Sequence, residues 1–194
     1  MSKLQELLRR ADAYKEIIQK SGVPAETYIN SEFKTADITE DFIRNLHRSV
    51  YNGTDSSQAG RYRTSAAADP SESPILPSPK DLPRLMSHLE NQIYSSKSAL
   101  HPVELAAMAH KRLLDIHPFA DGNEKTAEIL RDVILSRSGY CPVSVPSGRK
   151  KEFADTLASS RKSSDMEPLS ILTAQLVIKA QEDYIRKHQI SLTE

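Results

Sequence analysis

Two stretches bounded by proline and glycine, Pro102 to Ile116 and Gly122 to Ser138, read as helices joined by a short connection. Pro102 suits a first helical turn, where its missing N–H is no loss. Gly139 suits the seat just past a last turn, where a left-handed backbone closes the helix. The pair restricts the chain to folds built mainly from helices. Other segments share the helical period. Leu4, Leu7, Leu8 and Ala11 fall at i, i+3, i+4 and i+7, one face of a helix that Gly22-Val23-Pro24 ends. Ile38 to Leu46 reads as a second helix with Thr39 as its N-cap. Lys80 to Tyr94, Lys150 to Ser160 and Pro168 to His188 bring the reading to at least six helices. From Tyr51 to Pro79 the pattern changes, because Asn52-Gly53, Gly60, Pro70, Pro74, Pro77 and Pro79 break any helix. Arg61 to Thr64 and Ser73 to Leu76 can pair as a hairpin around Ala66 to Glu72. The alternative is a long surface loop, and such loops are often functional.

Composition narrows the function classes. Lys+Arg and Asp+Glu both number 26 in the 194 residues, so there is no basic excess for a nucleic-acid surface. A single cysteine, Cys141, rules out an intramolecular disulfide and fits a reducing compartment. Residues 1–10 scatter charges through an N-terminus without an apolar core, unlike a secretory signal. No apolar run approaches the length of a membrane span. A cytoplasmic protein is expected, with delivery into a host cell as an effector left open.

The connection itself, His117-Pro-Phe-Ala-Asp-Gly-Asn-Glu-Lys125, carries the chemistry. His117 titrates near neutrality and suits proton abstraction from an attacking hydroxyl. Asp121 is a hard oxygen ligand of the kind Mg²⁺ takes. Gly122 and Asn123 open a helix, whose free N–H groups and positive end bind phosphate. Phe119 is expected to point inward as a structural anchor while His117 faces the site. Elsewhere, His101 and His110 read as capping or core residues and Cys141 as a small apolar filler. Arg149-Lys150-Lys151 and Arg161-Lys162 read as solvated faces. Leu169 to Val177 reads as core, or as the seam of a homodimer.

The connection also resembles the signature of the Fic family, His-x-Phe-x-[Asp/Glu]-Gly-Asn-Gly-Arg-x-x-Arg. His117, Phe119, Asp121, Gly122 and Asn123 match it in register. His101 to Ile116 is similar to the family's helix before the signature, and Leu135 to Tyr140 to its segment after the signature. Gly60-Arg-Tyr62-Arg63 is similar to the segment that opens the family's target-positioning flap. The family-like part spans about residues 40–160, within a single domain over residues 1–194. The resemblance implies a mainly α Fic-domain helical bundle with a short β-hairpin flap. It implies transfer of AMP from ATP to a Ser, Thr or Tyr hydroxyl of a protein target. His117 would be the base and Asp121 the Mg²⁺ ligand. Gly122, Asn123, Glu124 and Lys125 would meet the nucleotide phosphates. Ile75 and Leu76 would form the flap edge that pairs with the target. An antitoxin or a second copy of the chain is an expected partner.

Three positions depart from the family pattern. Glu124 replaces its second Gly, Lys125 its first Arg and Glu128 its second Arg. Lys125 keeps the charge but loses the bidentate fork. Together the changes make the site more negative by about three charges. Three readings are open: transfer of a nucleotide or phosphate group with altered placement, use of a different donor, or a catalytically weak or inactive binding module. The Doc branch, which transfers phosphate, also replaces the second Gly, but with Lys. The family's inhibitory pattern, [Ser/Thr]-x-x-x-Glu-[Gly/Asn], is absent. Ser163 to Glu167 has its first spacing but continues to Pro168, and Glu128 would leave such a restraint nothing to grip.

Overall fold

The computed structural model describes residues 1–23, 33–51, 56–66 and 76–191. Seven α-helices are found among them: α1 (Lys3–Lys20), α2 (Glu40–Val50), α3 (Leu82–Ser96), α4 (Pro102–Ile116), α5 (Asn123–Arg137), α6 (Lys150–Ser163) and α7 (Glu167–Lys187). The mainly α expectation holds. None of these helices is long and apolar enough to cross a membrane.

The helix ends follow local chemistry. Ser2 and Gln5 exchange side-chain and backbone bonds at the head of α1, a capping box that satisfies two otherwise orphaned amides. Thr39 accepts the Phe42 N–H at 3.1 Å and starts α2, with Glu40 and Asp41 in the first turn against the positive helix end. Gly139 has φ +84° after α5, and its amide bonds back to Ser136. Thr39 and Gly139 stand where the sequence reading sets them, and the capping box at Ser2 is an addition to it.

Two compact units emerge. One comprises residues 1–35, 100–108 and 132–194. Within it α1 lies along α7, where Gln181 Nε2 donates to the Ala11 carbonyl at 3.1 Å and Arg10 meets Glu182 at 2.5 Å. Ile18, Cys141, Tyr184 and Ile185 pack together beneath them, so Cys141 is the apolar filler expected. His101 caps α4 by accepting the Val103 N–H on Nδ1 at 3.2 Å. Its Nε2 lies 3.3 Å from Asp12 and 3.1 Å from the Tyr140 hydroxyl, which in turn bonds Asp12 at 2.5 Å. Leu169, Leu172, Leu176 and Val177 are buried core.

The other unit comprises residues 36–99 and 109–131, with α2, α3, the second half of α4 and the first half of α5. Phe42, Ile43 and Leu46 from α2 and Leu82, Met86, Leu89 and Ile93 from α3 are buried. Each such side chain contributes about 2 kcal/mol by leaving water. The expected β-hairpin is not found among the described residues. Residues 61–64 form no strand, Leu76 is half-buried in irregular backbone, and residues 67–75, which include Ile75, lie outside the described set. The carbonyls of Ser65 and Pro77, just outside the expected strands, both accept from the Arg63 guanidinium, at 3.0 and 2.6 Å.

Candidate active site

Helix α4 stops at Ile116, and His117 takes the next seat with φ +48°. Its N–H reaches back to the Leu113 carbonyl at 2.9 Å. That single bond is the left-handed helix ending in which glycine is the usual occupant. A side chain there costs about 1–2 kcal/mol of backbone energy. Strain of this kind persists only where neighbours impose it. Here the neighbour is Arg63. Its Nε donates to the His117 carbonyl at 2.8 Å and its own N–H to the Pro118 carbonyl at 2.9 Å. With Ser65 and Pro77 on its other nitrogens, a guanidinium 3% exposed ties the histidine's backbone to both flanks of the 66–76 segment. Burial lowers the pKa of this guanidinium.

Phe119 is fully buried, pointing inward. Asn123 clips the turn shut around it. Its Oδ1 accepts the Phe119 N–H and its Nδ2 donates to the Phe119 carbonyl, both at 2.9 Å. The Asn123 amide, anticipated as a phosphate donor, is thus used within the loop. The main chain supplies donors in its place. The first i→i+4 bond of α5 runs from the Thr126 N–H to the Gly122 carbonyl at 3.0 Å, and the Thr126 hydroxyl joins the same oxygen at 2.8 Å. The amides of Asn123, Glu124 and Lys125 therefore have no acceptor inside the helix. They gather at its positive end, an arrangement suited to an anion.

Asp121 is exposed, and its Oδ1 accepts the Gly122 N–H at 2.6 Å. No group of three or more His, Cys, Asp and Glu capable of holding a metal occurs among the described residues. One remaining carboxylate oxygen fits a Mg²⁺ that arrives with phosphate and water ligands. It does not fit a cation held by protein alone. Glu124 and Lys125 are exposed as well. Lys125 meets Glu128 at 3.4 Å in a pair with side chains 63% and 42% exposed, a contact worth at most a few tenths of a kcal/mol. Nothing in that pair prevents Lys125 from turning to a phosphate.

A residue absent from the sequence reading lies under the turn. His47 of α2 is 1% exposed. The Gly60 N–H donates to its Nδ1 at 2.8 Å, which assigns the proton to Nε2, and that N–H donates to the Asp121 carbonyl at 3.1 Å. Its ring stacks on Phe119, with centroids 3.8 Å apart and planes at 3°. Burial, the largest influence, lowers the His47 pKa, against smaller raising effects from the Asp121 carbonyl and charge. Gly122, at φ +74°, turns the chain directly above; a Cβ there would stand 3.2 Å from His47 Nε2. One sequence signal marked His47: it shares the buried face of Phe42, Ile43 and Leu46, a polar residue on an apolar stripe.

The turn thus gathers His117, Phe119, Asp121, Gly122, Asn123, Glu124 and Lys125, and this architecture has counterparts among solved structures. A Fic-domain-containing signalling protein from Bacteroides thetaiotaomicron is similar with a TM-score of 0.70 at 24% identity, over 99% of this chain and 74% of that one. BepC, an effector from Bartonella tribocorum solved with bound AMPPNP, is similar with a TM-score of 0.59 at 15% identity, over 89% of this chain and 86% of that one. At these identities the likeness is one of fold. Residues 37–135 match the Fic/DOC family model, and the chain belongs to that family. Among its relatives, protein adenylyltransferase Fic of Drosophila melanogaster is 34% identical over 163 residues, 83% of this chain and 32% of that protein. The Aedes aegypti protein of the same name is 38% identical over 136 residues, 69% of this chain and 27% of that protein. The chain therefore spans 32% or less of the length of these two curated relatives.

Proposed function

We propose that this chain transfers AMP from ATP to a Ser, Thr or Tyr hydroxyl on a protein. The observation that carries the reading is the turn between α4 and α5. It holds a strained histidine, a carboxylate and a ring of helix-start amides within one short loop, in a family whose relatives are named adenylyltransferases. The amides of Asn123, Glu124 and Lys125 receive phosphate oxygens, and the Lys125 ammonium adds a point charge. Asp121 would hold Mg²⁺, which when bound would supply charge to offset that of the phosphates. His117 takes the proton of the target hydroxyl. The hydroxyl oxygen bonds to the α-phosphorus, and the bond from that phosphorus to the oxygen bridging to the β-phosphorus breaks. Pyrophosphate departs with the electron pair. Rate enhancement comes chiefly from positioning and fixed donors. The edge near Ile75 and Leu76, whose neighbour Pro77 is held by Arg63, receives the target's backbone.

A second reading, a binding module of the same fold with weak or no catalysis, is favoured by Glu124 and Glu128, two carboxylates in the first turns of α5. Incubation with ATP labelled separately at the α- and γ-phosphate, against a cell lysate, separates these outcomes. Incorporation of α-label, lost in His117→Ala, supports the proposal. Incorporation of γ-label alone replaces it with phosphate transfer of the Doc kind. If no label is incorporated and calorimetry detects ATP·Mg²⁺ binding only after Glu124→Gly, Lys125→Arg and Glu128→Arg are combined, the module reading stands.

A further inference from the structure

The Asp121–Gly122 peptide is pinned at both ends. Its carbonyl accepts from His47 Nε2 at 3.1 Å, and its N–H donates to the Asp121 carboxylate at 2.6 Å. The plane of this one peptide therefore decides where the carboxylate points, and the imidazole decides the plane. The same ring is held by the Gly60 N–H on its other nitrogen and lies flat against Phe119. We propose that His47 is a positioning residue of this site: through the Asp121 carbonyl it sets the orientation of the Asp121 carboxylate and of the first amides of α5. The inference rests on the transferase reading for its kinetic consequence, but not for its structural one.

Three features support it. His47 is 1% exposed and bonds the main chain of the turn, so it acts through the turn. A Cβ at residue 122 would come within 3.2 Å of His47 Nε2, so the turn and the ring are closely fitted. The bond His47 makes runs from an imidazole 1% exposed to a main-chain carbonyl, so the donor side is closed to water. A lone carboxylate whose direction is unsupported loses its use as a phosphate-side cation ligand, because orientation of the reacting groups carries much of the catalytic advantage.

The test uses three substitutions that separate the ring's contacts. His47→Phe keeps the stack on Phe119 and removes both hydrogen bonds. His47→Gln places an amide N–H near the former Nε2 and restores the donor to Asp121. His47→Asn places a carbonyl near the former Nδ1 and keeps only the acceptor for Gly60. The Phe and Asn variants should lose transfer by about 100-fold in kcat, with the KM for the protein target little changed, and the Gln variant should recover most of it. The Gly122 amide resonance in a ¹⁵N–¹H spectrum should move, and its exchange quicken, in Phe and Asn but not in Gln. Equal behaviour of Gln and Asn in both measurements overturns the proposal even if the Phe variant fails to fold. If the unaltered protein transfers nothing, the transferase reading fails, and the Gly122 amide alone decides the positioning role.

Discussion

The left-handed seat of His117 should make glycine there more stable than alanine, although both replacements remove the imidazole. A side chain at φ +48° carries about 1–2 kcal/mol of backbone energy that glycine does not. Glycine also gains freedom in the unfolded chain, which offsets about 0.5–1 kcal/mol of that relief. His117→Gly should therefore be more stable than His117→Ala by about 0.5–1 kcal/mol. Comparing these two variants, rather than either with the parent, removes the imidazole's own contacts from both sides. At this chain length the difference corresponds to a Tm separation of about 1–4 °C. Differential scanning calorimetry reads it directly, and urea unfolding checks it at constant temperature. Both variants should lose group transfer by at least about 100-fold, so their difference in stability reports the backbone seat alone. If the Ala variant is as stable as the Gly variant, or more so, the seat is not strained. The link drawn between a glycine position and a working side chain then fails.

Arg63→Lys keeps the charge but cannot serve the carbonyls of His117, Ser65 and Pro77 together; a loss of about 2–4 kcal/mol in urea unfolding is expected, and a loss below about 0.5 would show the guanidinium fork to be dispensable. Asn123→Asp replaces the Nδ2 donor with an oxygen facing the Phe119 carbonyl; a destabilisation of about 2–3 kcal/mol is expected, and an unchanged Tm would show that the clip does not hold the turn. Tyr140→Phe tests the Asp12 cluster by acid titration. Burial is the largest influence on Asp12 and raises its pKa, but bonds from Tyr140 and Lys15 with the His101 charge outweigh it, so the folded value lies below the ordinary 3.8. Asp12 therefore adds stability above that value and loses it as pH falls through the folded one. Without the Tyr140 hydroxyl the acid-unfolding midpoint, followed by circular dichroism, should move to higher pH; an unmoved midpoint would refute the assignment.

What could be read from the chain alone was what neighbours in sequence decide. Thr39 caps α2, Pro102 opens α4 and Gly139 closes α5 because capping and turn chemistry act over a few residues. The run from His117 to Asn123 was legible for the same reason. The supports of that run were not. His47 reaches Asp121 across 74 residues, and Arg63 reaches His117 across 54. No local pattern announces such contacts, although a histidine on the apolar stripe of α2 was a hint. Sequence shows the side-chain type that makes Asn123 a candidate phosphate donor, and hides its competitor, the Phe119 peptide. The hairpin rests on two short runs around 66–72 and on the family resemblance, and neither reveals that Arg63 gathers the carbonyls of Ser65 and Pro77 from the two flanks.

The Asn123 clip has an evolutionary corollary. The outline of the turn is maintained by His47, Arg63, Phe119, Gly122 and Asn123, whose bonds run to the main chain or to one another. Glu124, Lys125 and Glu128 share none of those bonds; Lys125 and Glu128 contact each other at the surface. Form and charge are thus inherited on separate residues. A lineage carrying this scaffold can sample new electrostatic preferences one codon at a time, without first relearning how to fold the loop.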